Sequence, residues 1–307
     1  MTILTATRTT ALAMGAVAMA SVGGSVAVSG VLADAPMFTV QAIRYAAASL
    51  LLVALARAAR VPVRAPRGAD WMWLLGVAAL GLVLFNVALV RGSEHTEPAV
   101  LGVAVACVPV VLAFVGPLLE GGRPAPGTVL AAAVVTAGAV LVQSGGRTDL
   151  AGLGWAATVL ACEVGFTLLA VPVLRRHGPW GVSVHTCWIA TAQLVVLAGI
   201  TEGPAATGLR MPHLLAIAYL AVVLTAIAFV LWYSAVGRLG TALAGLLTGV
   251  APVAAAAVGV ALGSPVPGPA VWTGTTVVVA GLLVGVRARP APKKDAKLTA
   301  SSDGTMG

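Results

Sequence analysis

Long apolar runs alternate with short clusters of charge, proline and glycine along the whole chain. The first run is free of charge from Thr9 to Ala33 and is closed by Asp34. Pro36–Ala56 follows with Arg44 inside it, and then a basic loop carries Arg57, Arg60, Arg64 and Arg67. Further runs cover Trp71–Val90, Pro98–Leu119 and Pro126–Gln143. Beyond the Ser144–Asp149 loop lie Leu153–Leu174, with Glu163 inside it, then Trp180–Thr201 and Pro212–Val236. From Leu239 to Val286 no charge occurs for 48 residues, too long for one crossing and right for two, split at Ser264–Pro269. The runs are continuous and about 20 residues long, which predicts membrane-spanning helices and not the short alternating strands of a barrel. The count is ten.

Two stretches of this pattern match. Sliding the chain by 143 positions pairs Gly102 with Gly245, Pro109 with Pro252, Gly116 with Gly259, Pro124 with Pro267, Pro126 with Pro269 and Gly138 with Gly281. Alanine and valine matches mean little in such a chain. Prolines and glycines at one offset mean more, because they mark backbone that cannot be ordinary helix. Ten spans in two halves give five each, and five is odd, so the second half crosses in the opposite sense. The expected architecture is an all-α integral membrane protein of ten helices in two inverted five-helix repeats, 1–146 and 147–286, with a disordered basic tail at 287–307. Such symmetry lets two similar halves expose a central site to one side and then the other.

Composition agrees. Of 307 residues, 59% are hydrophobic and 9% charged, with a mean hydropathy of +1.01; soluble domains carry about 25% charged residues. The net charge of +8 does not indicate nucleic acid, because its residues flank the runs. Placing the N-terminus in the cytoplasm puts Arg8, the Arg57–Arg67 loop, Arg123, Arg175, Arg176, Arg238 and the five basic tail residues inside, and only Arg91, Arg147 and Arg210 outside. Both termini are therefore expected in the cytoplasm. The N-terminal run could imitate a signal peptide, but its length and the repeat count make it the first span. Cys107, Cys162 and Cys187 are odd in number, fit no zinc spacing and read as core. No metal or cofactor is expected.

The residues resemble the EamA-like branch of the drug/metabolite transporter superfamily over about 280 positions. Gly24-Ser25 is similar to that family's Gly-Ser step in the first span, and Pro36 with Arg44 to the pattern of its second. Ala99–Glu120 with Pro109-Val110 is similar to its fourth span and terminal glutamate, and Ala244–Gly263 with Pro252-Val253 to the partner in the second half. The chain departs at Gly263-Ser264, where the repeat usually has another glutamate, and in the charged loop Glu94-His95-Thr96-Glu97. The resemblance implies a small-molecule carrier, often an exporter, with a cavity lined by helices 1–4 and 6–9 and with helices 5 and 10 peripheral.

Few residues could carry chemistry. Arg44 lies about 12 Å into its span, where an unpartnered arginine costs about 2.5–3.5 kcal/mol; it is a binding or gating cation, or else a structural ion pair. Glu163 could take up and release a proton, or pair with Arg44. His185 could share its path, or simply bond to a neighbouring helix. These three are the substrate or coupling-ion candidates. Pro109 and Pro252 each remove a helical hydrogen bond at matching depth and are the helix-kink candidates. Trp155, Phe166 and Trp188 are candidates for lining a cavity, while Trp71, Trp73, Trp180, Trp232 and Tyr233 read as an interfacial belt. The Glu94–Glu97 group reads as a solvated turn ahead of a metal site, and Glu120 with Arg123 as a helix-end pair. Gly245/Gly249 and Gly281/Gly285 permit close helix crossing; the second pair can pack within the monomer or make a homodimer.

The pattern Gly-x-x-x-x-Gly-Lys-Ser/Thr does not occur, nor does Gly-x-Ser-x-Gly or His-Glu-x-x-His, and no span holds two carboxylates. The expected function is therefore secondary active transport, as an exporter of a small metabolite or drug-like solute by alternating access, with proton coupling admitted; it is not enzymatic. The partners are that solute and the lipid bilayer, without nucleic acid. The expected place is a bacterial inner membrane. A non-transporting receptor or assembly partner is the alternative.

Overall fold

In a computed structural model, which describes residues 2–143, 147–203, 208–262 and 267–287, every long element is a helix. We number them α1 Thr2–Gly30, α2 Met37–Ala58, α3 Asp70–Ser93, α4 Pro98–Leu119 and α5 Pro126–Val142, then α6 Leu150–Leu168, α7 Val171–Thr201, α8 Met211–Leu239, α9 Thr241–Ala261 and α10 Pro269–Arg287. Nine of these are long and apolar enough to cross a membrane; α5 has 17 residues and is about 26 Å long at 1.5 Å per residue. The chain is a multi-pass membrane protein. The tail beyond Arg287, residues 263–266 and the first half of the Ser144–Asp149 loop fall outside the described residues.

Two boundaries differ from the sequence expectation. The sixth span ends at Leu168, six residues early, and Arg175, Arg176 and His177 belong to the start of α7. Pro172 explains it: proline suits the first turn of a helix, where its missing N–H costs nothing, so a new helix begins there. Within α7 the backbone turns at Gly178, with φ 65° and ψ 176°, which a residue with a Cβ rarely adopts, and Pro179 follows. Gly240, φ 77°, makes the corresponding sharp turn between α8 and α9.

The offset of 143 reappears in the backbone. α3 widens into π-helical turns over Val77–Leu84, and α8 does so over Leu220–Ile227, each residue of one segment lying 143 positions from its counterpart in the other. α4 is interrupted at Cys107, just before Pro109, and α9 passes through a 3₁₀ turn at Leu247–Gly249, just before Pro252.

Packing divides into three cores. The largest joins α2, α3, α7 and α8 around Tyr45, Leu52, Leu82, Leu194 and Tyr233. A second joins α4, α5, α9 and α10 around Val135, Leu246 and Val278. A third joins α3, α4 and α6 around Leu101 and Val159, with Trp155 against it. Between helices in lipid, contact is won by close van der Waals packing and not by exclusion of water. α5 and α10 show this: a Cβ on Gly274 would meet the Gly138 carbonyl oxygen at 2.6 Å, and one on Gly281 the Val135 amide at 2.9 Å. The Gly281/Gly285 face thus packs within the monomer.

Candidate functional site

Arg44 and Tyr45 sit side by side on α2, 7% and 2% exposed; Arg44 reaches one π-helical segment directly and Tyr45 is linked to the other through Asn86. Arg44 Nε donates to Thr225 Oγ1 at 2.9 Å, and Thr225 in turn donates to the Leu220 carbonyl at 2.9 Å, five residues back inside the π segment of α8. On α3, Asn86 Nδ2 donates to the Tyr45 hydroxyl at 3.1 Å and to the Leu82 carbonyl at 2.5 Å, the latter within the other π segment. Widened turns present their carbonyls to side chains, and such segments concentrate at functional sites. The second anchor of Arg44 is Gln41 Oε1 at 3.1 Å, and its guanidinium carbon lies 4.9 Å from the Tyr45 ring centroid.

Among the described residues no carboxylate forms an ion pair with Arg44, so the expected pairing with Glu163 is not made. Thr225 and Gln41 already hold the guanidinium toward α8. Glu163 is half-buried on α6 and makes no hydrogen bond or ion pair among the described residues. It lies within electrostatic reach of both the Tyr45 and the Tyr233 hydroxyls. Below it, Phe166 stacks with Phe229 and Tyr233 at 5.0 and 5.2 Å between ring centroids, and its carbonyl accepts from the Tyr233 hydroxyl at 3.5 Å. The middle of the molecule therefore gathers a buried cation, an unpartnered carboxyl group and an aromatic cluster.

His185 stands apart, at the arginine-rich face. Trp188 Nε1 donates to its Nδ1 at 3.0 Å, which leaves Nε2–H to donate to the Arg64 carbonyl at 2.8 Å: the ring is the neutral Nε2–H tautomer with both nitrogens occupied. Trp188 meets Trp71 edge to face at 5.8 Å and is 38% exposed. Trp232 and Tyr233, read from the sequence as interfacial, are 3% and 0% exposed. They lie more than a turn ahead of Arg238 and face α6, where Trp232 donates to Thr167 at 3.3 Å.

A cavity of about 930 Å³ lies at the arginine-rich face between the ends of α4 and α8 and the starts of α5, α7 and α9. Arg8, Arg123, Arg175 and Arg238 line it, and Tyr233 and Ser234 are its deepest members along α8. Trp155, Phe166 and Trp188 are not among its lining residues. Glu120 lines it too, but its carboxylate accepts from the Thr241 amide at 3.0 Å and hydroxyl at 2.7 Å, capping α9 in place of the expected pair with Arg123. At the opposite face Glu202 does the same for α2, accepting from the Phe38 and Thr39 amides at 2.7 and 2.8 Å.

That opposite face also holds the Glu94–Glu97 loop. Its partners are the 147–149 segment: Arg147 donates to Glu97 at 3.1 Å and His95 Nδ1 lies 3.1 Å from Asp149 Oδ2. The Gly152 amide and then His95 hold the Asp149 carboxyl below the usual carboxylate range. No cluster suited to a metal ion occurs among the described residues.

The model of the EamA-like transporter family matches residues 9–144 and 150–287. The "Uncharacterized transporter YdeK" of Bacillus subtilis is 28% identical over 59% of this chain and 64% of its own length. The "Probable terminal-alkyne amino-acid exporter" of Streptantibioticus cattleyicolor is 30% identical over 76% of this chain and 79% of its own. A solved crystal structure superposes with a TM-score of 0.75 at 24% identity, covering 90% of this chain and 96% of that one, a likeness of fold.

Proposed function

The chain belongs to the EamA-like transporter family, and from that membership we propose that it is a secondary active exporter of a small metabolite or drug-like solute working by alternating access. Its two repeats, 1–146 and 147–286, are inverted halves. They sit in a bacterial inner membrane with the arginine-rich face and both termini in the cytoplasm, as the bias of basic residues favours. The observation that carries the reading is the pair of π-helical segments 143 residues apart, linked through Arg44 to Thr225 on one side and through Tyr45 and Asn86 on the other. A buried cation tied to both halves senses any movement of one against the other.

Glu163 is the proton carrier in this scheme, because among the described residues it is the carboxyl group near the Arg44–Tyr45 node and has no partner there to hold its charge. A zwitterionic solute would set its carboxylate against Arg44 and its ammonium against Glu163, and the exporter named among the relatives makes amino acids the first class to try. The test begins with thermal shift of the purified protein against amino acids, including terminal-alkyne ones, organic cations and nucleosides. Hits then go into proteoliposomes with and without a pH gradient. Glu163→Gln is expected to abolish gradient-driven flux and to weaken binding of a zwitterionic solute while folding persists. Undiminished gradient-driven flux in the variant would remove Glu163 from the mechanism.

A further inference from the structure

Three aspartates are described, and each meets a histidine: Asp34 meets His213, Asp70 meets His177 and Asp149 meets His95. The first two pairs are related. Asp34 and His177 lie 143 positions apart, as do Asp70 and His213. Exchanging the two repeats therefore turns one pair into the other with acid and base swapped. The first joins the α1–α2 turn to the start of α8; the second joins the start of α3 to the start of α7. Each pair links one repeat to the other, and the two pairs lie at opposite faces.

The surroundings follow the same relation. Asp70 Oδ2 accepts from the Arg67 amide at 3.0 Å, and His213 Nδ1 accepts from the Arg210 amide at 3.3 Å, the same three-residue cap at equivalent positions. Imidazole and carboxylate do one job there, each accepting the same amide. At the arginine-rich face, His177 Nε2 lies 3.1 Å from Asp70 Oδ2 and its Nδ1 3.1 Å from the Arg64 carbonyl, with Arg176 2.9 Å from the same carboxylate. At the other face, His213 Nε2 lies 3.2 Å from Asp34 Oδ1, and Arg210 also bonds that carboxylate. Both histidine side chains are buried, at 0% and 4% exposure. An internal repeat brings equivalent contacts to both faces, and in a molecule whose halves rock against each other such a pair is placed to hold each face closed in turn.

We propose that Asp70–His177 and Asp34–His213 are the two closing contacts of the carrier, one per face, parting in alternation as it opens. The proposal rests on the alternating-access reading but not on any solute. Both contacts are made together in this structure; opening one face parts its pair and leaves the other to hold the halves. The two contacts are thereby coupled, and weakening one raises the fraction of time the other is closed.

The test uses the full chain in liposomes, with Cys107, Cys162 and Cys187 replaced by alanine and with cysteines in place of Trp71 and Trp188, whose rings meet beside the Asp70–His177 contact, so that the contact itself is kept. The rate of oxidative cross-linking reports closure of that face. Asp34→Asn is expected to raise it about fivefold or more. The double exchange Asp34→His with His213→Asp, which copies the arrangement of the opposite face, is expected to return it to the starting value. The reciprocal set, with Asp70→Asn and with cysteines in place of Thr39 and Glu202, whose side chains meet at the other face, should behave alike. Cross-linking that ignores the distant pair would make both pairs static staples and overturn the proposal, as would a double exchange that fails to restore the rate in a folded protein. Coupled cross-linking in a protein that moves no solute would instead remove the carrier reading and leave the contacts standing.

Discussion

Arg44 is costly in the membrane interior, and its neighbours show how the cost is met without an acid. Thr225 and Gln41 take two of its nitrogens and Tyr45 flanks its charge. Thr225→Val should destabilise the protein by about 1–3 kcal/mol, since it strands a buried donor. Combining it with Arg44→Met should recover most of that loss, because the stranded group goes too; melting of the purified variants in detergent measures both. The sequence pointed to Arg44 and Glu163 because charges stand out in apolar runs. It did not reveal that they stay unpaired, since that depends on the turn of α2 toward α8. Gln41, Asn86 and Thr225 carry no charge and do not stand out in the same way. Polar groups inside spans are signal enough to collect them, but only the fold shows that they converge.

At the scale of the helix, matched prolines and glycines located the repeat, and the backbone carries it further than the sequence could. No residue type announces the π-helical segments of α3 and α8, Val-Ala-Ala-Leu-Gly-Leu-Val-Leu and Leu-Ala-Val-Val-Leu-Thr-Ala-Ile. They are fixed by what packs against them, so their equal spacing was invisible beforehand. The pairing of α5 with α10 is a matter of Cβ atoms. Gly274→Leu should force these helices apart and lower stability by about 1–3 kcal/mol. Gly154→Leu on α6, where a Cβ would meet nothing within 4 Å, should leave melting unchanged. Chemical or thermal denaturation of the two variants side by side gives the comparison.

Across the whole molecule, charge sits at the two faces, and acid should loosen both, since Asp70 at the arginine-rich face is held low as well, by the Arg67 amide first. Asp149 is held below the usual carboxylate range by the Gly152 amide and then His95. Asp34 is held there too: desolvation opposes this, but Arg210, its own backbone and His213 prevail. A carboxyl lowered on folding lends stability that is whole above its unfolded value, about 3.9, and that vanishes as pH falls through the folded one. Melting temperature should hold level from neutral pH to about 5 and drop below about 4, and Asp34→Asn with Asp149→Asn should flatten that drop. The spans were legible because lipid leaves a chain few choices, but the end of α6 was not, because Pro172 begins a new helix inside an apolar run. The cavity was not, since it lies where helix ends from both repeats meet. The exchange of acid for base between repeats has a last consequence, for assembly. Two copies of residues 1–146 brought together as a dimer would set aspartate against aspartate at both faces, and two copies of residues 147–286 would set histidine against histidine. One of each closes both, so at these four positions each half complements the other and not a second copy of itself.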